Sequence, residues 1–411
     1  MSGKKIAILH YAGPPIVGGV ESTIYHHARL LSNYGYDVNI IAGRGEVFHP
    51  SISFHLIPEI DSRHPQVLEI GKQLSEGEVS PQFESLRDLL VRRLSSVLNR
   101  VDVTIVHNVI TLHKNLPLTA ALHQLSEKGV TSLIAWCHDF AWQDTLYIPD
   151  LHPGYPWDLL RAPWSGVRYV VVSEHRRTKL AALLSIPEKD IVVVTPGVDI
   201  SGFLKLESLT NRLVESLDLL NADPLMLLPA RVTLRKNIEI AIRVTATLRH
   251  TKPNVTLVIT GPPGPHNPKN IAYLNTLKSL QEELEVSKQV HFLYEQGEDG
   301  ESLFVPDEVV ADFFRLADLL IFPSLREGFG IPVLEAGLAR LPVFAADIPT
   351  VRESAAQLAD LFDLNSDPTS VAQLITSHLD DDRAYQLKRR VLERFTWQKI
   401  AEKKLIPLIE S

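Results

Sequence analysis

The stretch Glu327-Gly-Phe-Gly-Ile-Pro-Val-Leu-Glu335 sets two carboxylates eight positions apart, three residues beyond the continuous apolar run Leu319–Pro323. Such a run followed by glycines and then a helical pattern predicts a buried strand, a loop and a helix. Gly328 and Gly330 allow sharp turning and close approach of the backbone to a ligand, and Pro332 suits the first turn of a helix. Glu327 is therefore expected in the loop and Glu335 in the helix's opening turns. Unpaired N–H groups at such a helix start, with the positive end of its dipole, favour a phosphate ester lying between two acids that grip sugar hydroxyls. A plain strand-turn-helix with solvated acids accounts for Pro332 and the apolar residues. It gives no reason for Gly328 and Gly330 together.

Outward from this unit, short apolar runs alternate with helical-period segments along the whole chain, the pattern of parallel sheets covered by helices. The expected fold class is α/β. Strands are predicted at Lys5–His10, Val38–Ala42, Val103–His107, Leu133–Cys137, Tyr169–Ser173 and Ile191–Thr195. Helices are predicted at Val20–Tyr34, Phe83–Leu98, Leu118–Lys128 and Glu174–Leu184. The pattern weakens into a polar, mixed stretch over Asp199–Pro224, then restarts with strands Leu225–Pro229, Thr256–Thr260, Val290–Tyr294, Leu319–Pro323 and Val343–Ala346. Helices Ile238–His250, Ile271–Leu284, Asp307–Leu316 and Pro332–Ala339 belong to this second series. Two doubly wound domains facing each other would form a cleft at the carboxyl ends of their strands, where such sheets bind ligands. The segment Val371–Ile409 is expected to be helical with a break at Phe395-Thr-Trp397.

Composition sets the bounds. With 411 residues and 45% hydrophobic content the chain can bury large cores in two or three domains. A net charge of −8 argues against nucleic acid as the main partner. The single cysteine, Cys137, suits a reducing compartment and a packing role, so a cytoplasmic location is expected. Met1–His10 lacks the apolar core of a signal peptide, and no apolar run is long enough to span a bilayer. Phe83–Arg100 is amphipathic, which fits a helix packed on a sheet and also a helix lying on an anionic membrane. Membrane association stays open but is not indicated.

Several loops carry chemistry. Gly13-Pro-Pro-Ile-Val-Gly18-Gly19-Val20-Glu21 is a glycine-rich loop opening a helix, consistent with a phosphate contact or a tight turn. Arg231, Arg235 and Lys236 follow the strand Leu225–Pro229 with almost no acids nearby in sequence. A guanidinium fork beside a point charge suits two phosphates of one nucleotide, and surface solvation is the plain alternative. His138-Asp139 follows Leu133–Cys137. That histidine could contact a reacting sugar or move a proton with Asp139 tuning it, or simply form loop hydrogen bonds. Asn108 and Asp139 are acceptor-side candidates. The aromatic stretch with Phe140, Trp142, Tyr147, Tyr155, Trp157 and Trp164 would pack on sugar rings or tie down a long loop. Gly261–Pro265 is expected to be a rigid loop at the cleft rim. No residues have zinc spacing: His26 and His27 point apart on a helix, and Asp380-Asp-Asp382 is taken as a solvated cap or face.

Taken together and in this order, these pieces resemble the family-4 retaining glycosyltransferases of GT-B architecture. The match runs through Gly18-Gly19, His138, Ser173-Glu174, Pro196-Gly-Val-Asp199, Arg231 with Lys236, Gly261-Pro262 and the E-x7-E element Glu327–Glu335. The resemblance implies two Rossmann-like domains, an acceptor-side 1–205 and a nucleotide-sugar-binding 206–392, with 393–411 packing back on the first. It implies that Arg231 and Lys236 hold a donor diphosphate, with Gly18 and Gly19 contacting it or the acceptor. Glu327 would bind hydroxyls of the transferred sugar, with Gly328, Phe329, Gly330 and Ile331 near sugar and phosphate. Glu335 would bind the ribose, and His138 would sit beside the reacting sugar. Pro196 and Ala230 depart from residues frequent in the family, and neither change removes a charge.

The activity so implied is transfer of a hexose, glucose or mannose, from a UDP- or GDP-sugar to a hydroxyl acceptor with retained configuration, the leaving diphosphate taking the acceptor's proton. No bound cofactor is expected, and no metal is expected to be required for the chemistry. A GT-B epimerase or phosphorylase and a non-catalytic sugar-nucleotide-binding protein are the alternatives. The acidic chain favours a small soluble acceptor such as a phosphorylated or carboxylated polyol, with lipid and polysaccharide acceptors open. Arg161, Arg168, Arg176 and Arg177 offer an anionic-acceptor or membrane patch, or a solvated basic face. Base selection is expected near Tyr294–Pro306. Oligomeric state is left open.

Overall fold

A computed structural model describes residues 3–265, 267–298 and 301–411. Its first sheet joins seven parallel strands, β1 (Lys5–His10), β2 (Asp37–Ala42), β3 (Ile52–Leu56), β4 (Val103–His107), β5 (Ser132–Cys137), β6 (Arg168–Val171) and β7 (Ile191–Val193), in the order β3-β2-β1-β4-β5-β6-β7. The second joins six parallel strands, β8 (Leu225–Leu228), β9 (Thr256–Ile259), β10 (Val290–Phe292), β11 (Leu319–Phe322), β12 (Val343–Ala346) and β13 (Asp360–Phe362), in the order β10-β9-β8-β11-β12-β13. Both orders reverse direction once, between β1 and β4 and between β8 and β11. That reversal opens a crevice at the carboxyl ends of the two central strands.

The strands are continuous apolar runs because both sheet faces are covered by helices. In the helix Pro81–Leu98, residues Phe83, Leu86, Leu90, Leu94 and Leu98 are fully buried in the core of the first sheet. The amphipathic face that also fitted a membrane is thus core. Among the described residues no helix is long and apolar enough to cross a membrane.

The chain divides into two units, one running to Val198 and including Phe395–Ser411, the other Asp199–Arg394. The divisions fall at 198/199 and 394/395, against expected positions of 205/206 and 392/393. The chain leaves and re-enters the first unit at one point: the Val198 N–H donates to the Phe395 carbonyl at 2.7 Å, and Val198 bridges Thr396. Gly197 lies so close to Trp397 that an added Cβ would stand 2.6 Å from the indole. Ile400, Leu405, Leu408 and Ile409 then join the cluster of Ile6, Ile8 and Ile24.

The stretch taken as a polar junction carries two helices, Ile200–Leu204 and Ser208–Ser216, the first capped by Asp199, which accepts from the Gly202 N–H at 3.1 Å. Four further elements were not anticipated: the helices Pro65–Ser75 and Pro349–Ala355 and the strands β3 and β13. The two strands are sheet edges, short and only partly buried, so their sequences lack the uninterrupted apolar run of a central strand.

Candidate active site

In the second unit the loops leaving β8 and β11 meet at the sheet's reversal point. The 3₁₀ turn Leu234–Lys236 follows β8, and Asn237, at φ 51°, turns the chain into the helix Ile238–Leu248. The loop after β11 is tied to this turn through the backbone, Leu325 N–H donating to the Arg235 carbonyl at 2.9 Å. The result places Lys236 Nζ 2.6 Å from Glu327 Oε1 and Arg235 Nη1 2.9 Å from Glu327 Oε2. Lys236 and Arg235 therefore find an acid 91 and 92 residues away.

The Lys236–Glu327 pair is nearly sealed, at 9% and 8% side-chain exposure, and Lys236 also stands 5.0 Å over the Phe322 ring. Burial lowers the Lys236 pKa below the ordinary lysine value despite the contacts with Glu327. Burial pushes the Glu327 carboxyl up, but hydrogen bonding and charge from Lys236 and Arg235 outweigh it and hold the group below the usual carboxylate range.

Arg231 differs. It is exposed and has no hydrogen-bond or ion-pair partner among the described residues. Its loop is held by the Gly261–Pro265 loop: the Val232 N–H donates to the Pro262 carbonyl at 2.9 Å, and an added Cβ on Gly261 would stand 2.5 Å from the Ala230 carbonyl oxygen. On the other side, Gly330 adopts φ 92° where the helix Ile331–Leu338 begins. Gly328 faces open space, and its neighbours Phe329 and Ile331 are exposed apolar residues. Glu335 lies on this helix, exposed, and lines a separate opening with Glu308 and Arg315. The two glutamates of the opening motif thus occupy different surroundings. The Tyr294–Pro306 loop includes Asp299 and Gly300, which lie outside the described residues.

In the first unit a cavity of about 700 Å³ opens at the carboxyl edge of the sheet, lined by residues that follow every one of its strands. His138, after β5, places Nε2 3.3 Å from His107 Nδ1 at the end of β4. Asn108, at φ 52°, accepts from the N–H groups of His138 and Asp139 at 3.2 and 3.0 Å and donates to the Asp139 carboxylate at 3.1 Å. Asparagine tolerates this left-handed backbone, and its amide clamps the loop. Asp139 is engaged by Asn108 and by Arg176 at 3.2 Å. The ring contact to His138 therefore comes from His107, while Asp139 acts on it through its charge.

Burial is the main cause that holds the His138 pKa down at about 4, with Asp139 opposing it and His10 and Arg176 adding to it. His138 is neutral at pH 7. Its neighbours repeat the pattern: His10 is pushed down to about 4 and His27 to about 3, both mainly by burial, and His107 falls well below its ordinary value. Gly19 lines this cavity with open space beside it, whereas Gly18 is covered by the Glu21 carboxylate, 2.1 Å from where a Cβ would stand. An acid already occupies that helix start.

The remaining sequence candidates are structural. Trp142 Nε1 donates to the Trp157 carbonyl at 3.1 Å, Trp164 Nε1 to Leu159 at 3.0 Å, and Phe140, Trp157 and Trp164 are buried, so the aromatic stretch ties down its loop. The four arginines that offered an anion patch or a solvated basic face are separately engaged, Arg161 by Asp158, Arg168 by the Leu408 carbonyl, Arg176 by Asp139 and Arg177 by Glu174, and Arg176 also lines the cavity. Cys137 is buried and unpaired, its thiol pushed up to about 12 by burial. Asp382 caps a helix, accepting from the Ala384 N–H at 2.7 Å. His10, His107, Arg44, Arg63 and Lys114 were missed. A signal was present for the first two, since the apolar runs of β1, β4 and β5 each end in or are followed by histidine.

Two family models match the chain, Glycosyltransferase Family 4 over residues 17–201 and Glycosyl transferases group 1 over residues 211–394. With its two doubly wound parallel sheets, the chain belongs to the family-4 glycosyltransferases of GT-B fold and is a glycosyltransferase. Mannosylglucosylglycerate synthase of Thermotoga maritima is 26% identical over 369 residues, covering 82% of this chain and 79% of that protein. D-inositol 3-phosphate glycosyltransferase of Corynebacterium urealyticum is 28% identical over 233 residues, 54% of this chain and 51% of that protein. The solved structure of Anabaena Alr3699/HepE in complex with UDP-glucose aligns over 99% of this chain and 100% of that one, at 17% identity and a TM-score of 0.37.

Proposed function

We propose that the chain transfers a hexose, glucose or mannose, from a UDP- or GDP-sugar to a hydroxyl acceptor with retention at the anomeric carbon. The observation that carries this reading is the cluster of Arg235, Lys236 and Glu327 at the reversal point of the second sheet, with Arg231 on the same loop and without a side-chain partner among the described residues. A diphosphate supplies the charge that Arg231 lacks, while Lys236, released in part from Glu327, meets a second phosphate. Glu327 accepts hydrogen bonds from hydroxyls of the transferred sugar. The open backbone at Gly328–Ile331 and the start of the helix Ile331–Leu338 lie beside sugar and phosphate, and Glu335 takes the ribose. The names of the relatives, which carry mannosyl and glucosyl groups, support a hexose.

The bond between the anomeric carbon and the diphosphate oxygen breaks, the bond to the acceptor oxygen forms on the same face, and the acceptor's proton passes to the departing diphosphate. Arg231 and Lys236 stabilise the charge developing there. A neutral His138 is suited to hydrogen-bond a sugar hydroxyl and not to protonate the leaving group. Gly19, Asn108 and Asp139 shape the acceptor side, with Gly18 supporting the loop. The single, unpaired Cys137 fits a reducing compartment, and we place the enzyme in the cytoplasm.

The test is the Lys236→Ala variant, assayed with UDP-glucose and GDP-mannose against a panel of polyol acceptors. Transfer should fall by about a hundredfold or more, in line with loss of a charge-stabilising donor, while far-UV circular dichroism stays that of the wild type. Wild-type turnover in the variant would overturn the assignment.

A further inference from the structure

We propose that the cavity of the first unit is an anion-selective acceptor site, taking a small polyol that carries one carboxylate or phosphate, with Arg63 and Lys114 holding the anionic group. The proposal rests on the transferase reading above and adds the chemical class of the acceptor. The cavity has two chemically distinct zones. Its floor is made of uncharged hydrogen-bonding groups, the buried His10 and Asn108 and the half-buried His138, beside the indole of Trp136. Its rim carries four cations, Arg44, Arg63, Lys114 and Arg176.

The charges on this rim do not cancel. Arg44 is paired with Asp61 at 3.2 Å and Arg176 with Asp139 at 3.2 Å. The guanidinium of Arg63 and the ammonium of Lys114 have no hydrogen-bond or ion-pair partner among the described residues. Of the acids that line the cavity, Asp139 is taken by Arg176, and Glu21 is folded against Gly18. The positive field reaches the floor: after burial and a backbone hydrogen bond, the charges of Lys114 and Arg44 are what act on His10. A neutral floor offers donors and acceptors to hydroxyls and adds no charge of its own. A molecule with hydroxyls at one end and an anion at the other satisfies both zones, whereas a neutral polyol leaves Arg63 and Lys114 unmatched. The volume, about 700 Å³, suits a small molecule.

The experiment uses the full chain saturated with UDP or GDP, so that the cations of the second unit are occupied, and titrates D-glycerate, sn-glycerol 3-phosphate and glycerol by calorimetry. At least one anion should bind about tenfold or more tightly than glycerol, and the Arg63→Gln/Lys114→Gln double variant should lose about tenfold of that affinity, the scale of a charge-assisted contact. Nucleotide affinity should stay the same, since neither residue belongs to the nucleotide cluster. The order of the two anions tells carboxylate from phosphate. Anions that bind no better than glycerol, or equally well to the double variant, would overturn the proposal. A chain that binds neither UDP nor GDP counts against the donor reading alone, and the same titrations without nucleotide then decide the anion site.

Discussion

Lowering the pH from about 7 to about 5 should destabilise the first unit by several kcal/mol, before most carboxylates are protonated. His10 and His138 titrate at about 4 and His27 at about 3 in the folded chain, against 6.5 when exposed. In that interval the unfolded chain binds a proton at each site and the folded chain does not, so protons favour unfolding. The stability these groups confer is present above about pH 6.5 and is lost as the pH falls toward their folded values. A histidine moving from 6.5 to 4 gives up about 2 kcal/mol over this interval, so three of them give up about 6 kcal/mol. His107 shifts the same way and adds to the loss. Set against domain stabilities of about 5–15 kcal/mol, this is a large fraction.

All five tryptophans, at 136, 142, 157, 164 and 397, belong to the first unit, so urea unfolding followed by tryptophan fluorescence reports on that unit alone. The urea midpoint should drop steadily from pH 7 to pH 5. The His27→Phe variant, which keeps an aromatic ring against Trp136 and Trp397 but cannot take a proton, should show a shallower drop by about 2 kcal/mol. A midpoint that stays flat between these pH values, or an unchanged slope in His27→Phe, would refute the reasoning.

Arg231→Ala should weaken UDP or GDP binding by about tenfold in calorimetry. Because the side chain has no partner among the described residues, the variant's melting temperature should match the wild type. Gly330→Ala forces a side chain onto φ 92° with its Cβ 3.2 Å from Ser354 Oγ. It should cost the second unit about 1–2 kcal/mol, seen as an earlier far-UV transition while tryptophan fluorescence is unmoved.

The parts of this chain legible from sequence are those whose physics is local. Central strands announce themselves because burial on both faces demands an unbroken apolar run, as in Ile6–Leu9 and Leu319–Phe322. Helix starts at Gly18-Gly19 and Pro332 follow from backbone chemistry within a few residues. The edge strands Ile52–Leu56 and Asp360–Phe362 escaped notice because half-buried edges are free to carry serine, histidine and aspartate.

The sequence by itself thus determined the α/β class, the two series of strands and the loops that carry the charged groups. Only the tertiary structure decided which charges meet. Lys236 and Glu327 are 91 residues apart and become a buried pair because β8 and β11 are neighbours at the sheet's reversal. His10, His107 and His138 share one cavity because β1, β4 and β5 lie side by side, and burial there, which no local sequence encodes, sets them neutral. Arg63 and Lys114 look like ordinary surface cations in the sequence. Their lack of partners at the rim of that cavity depends on where every other charge in the unit has gone.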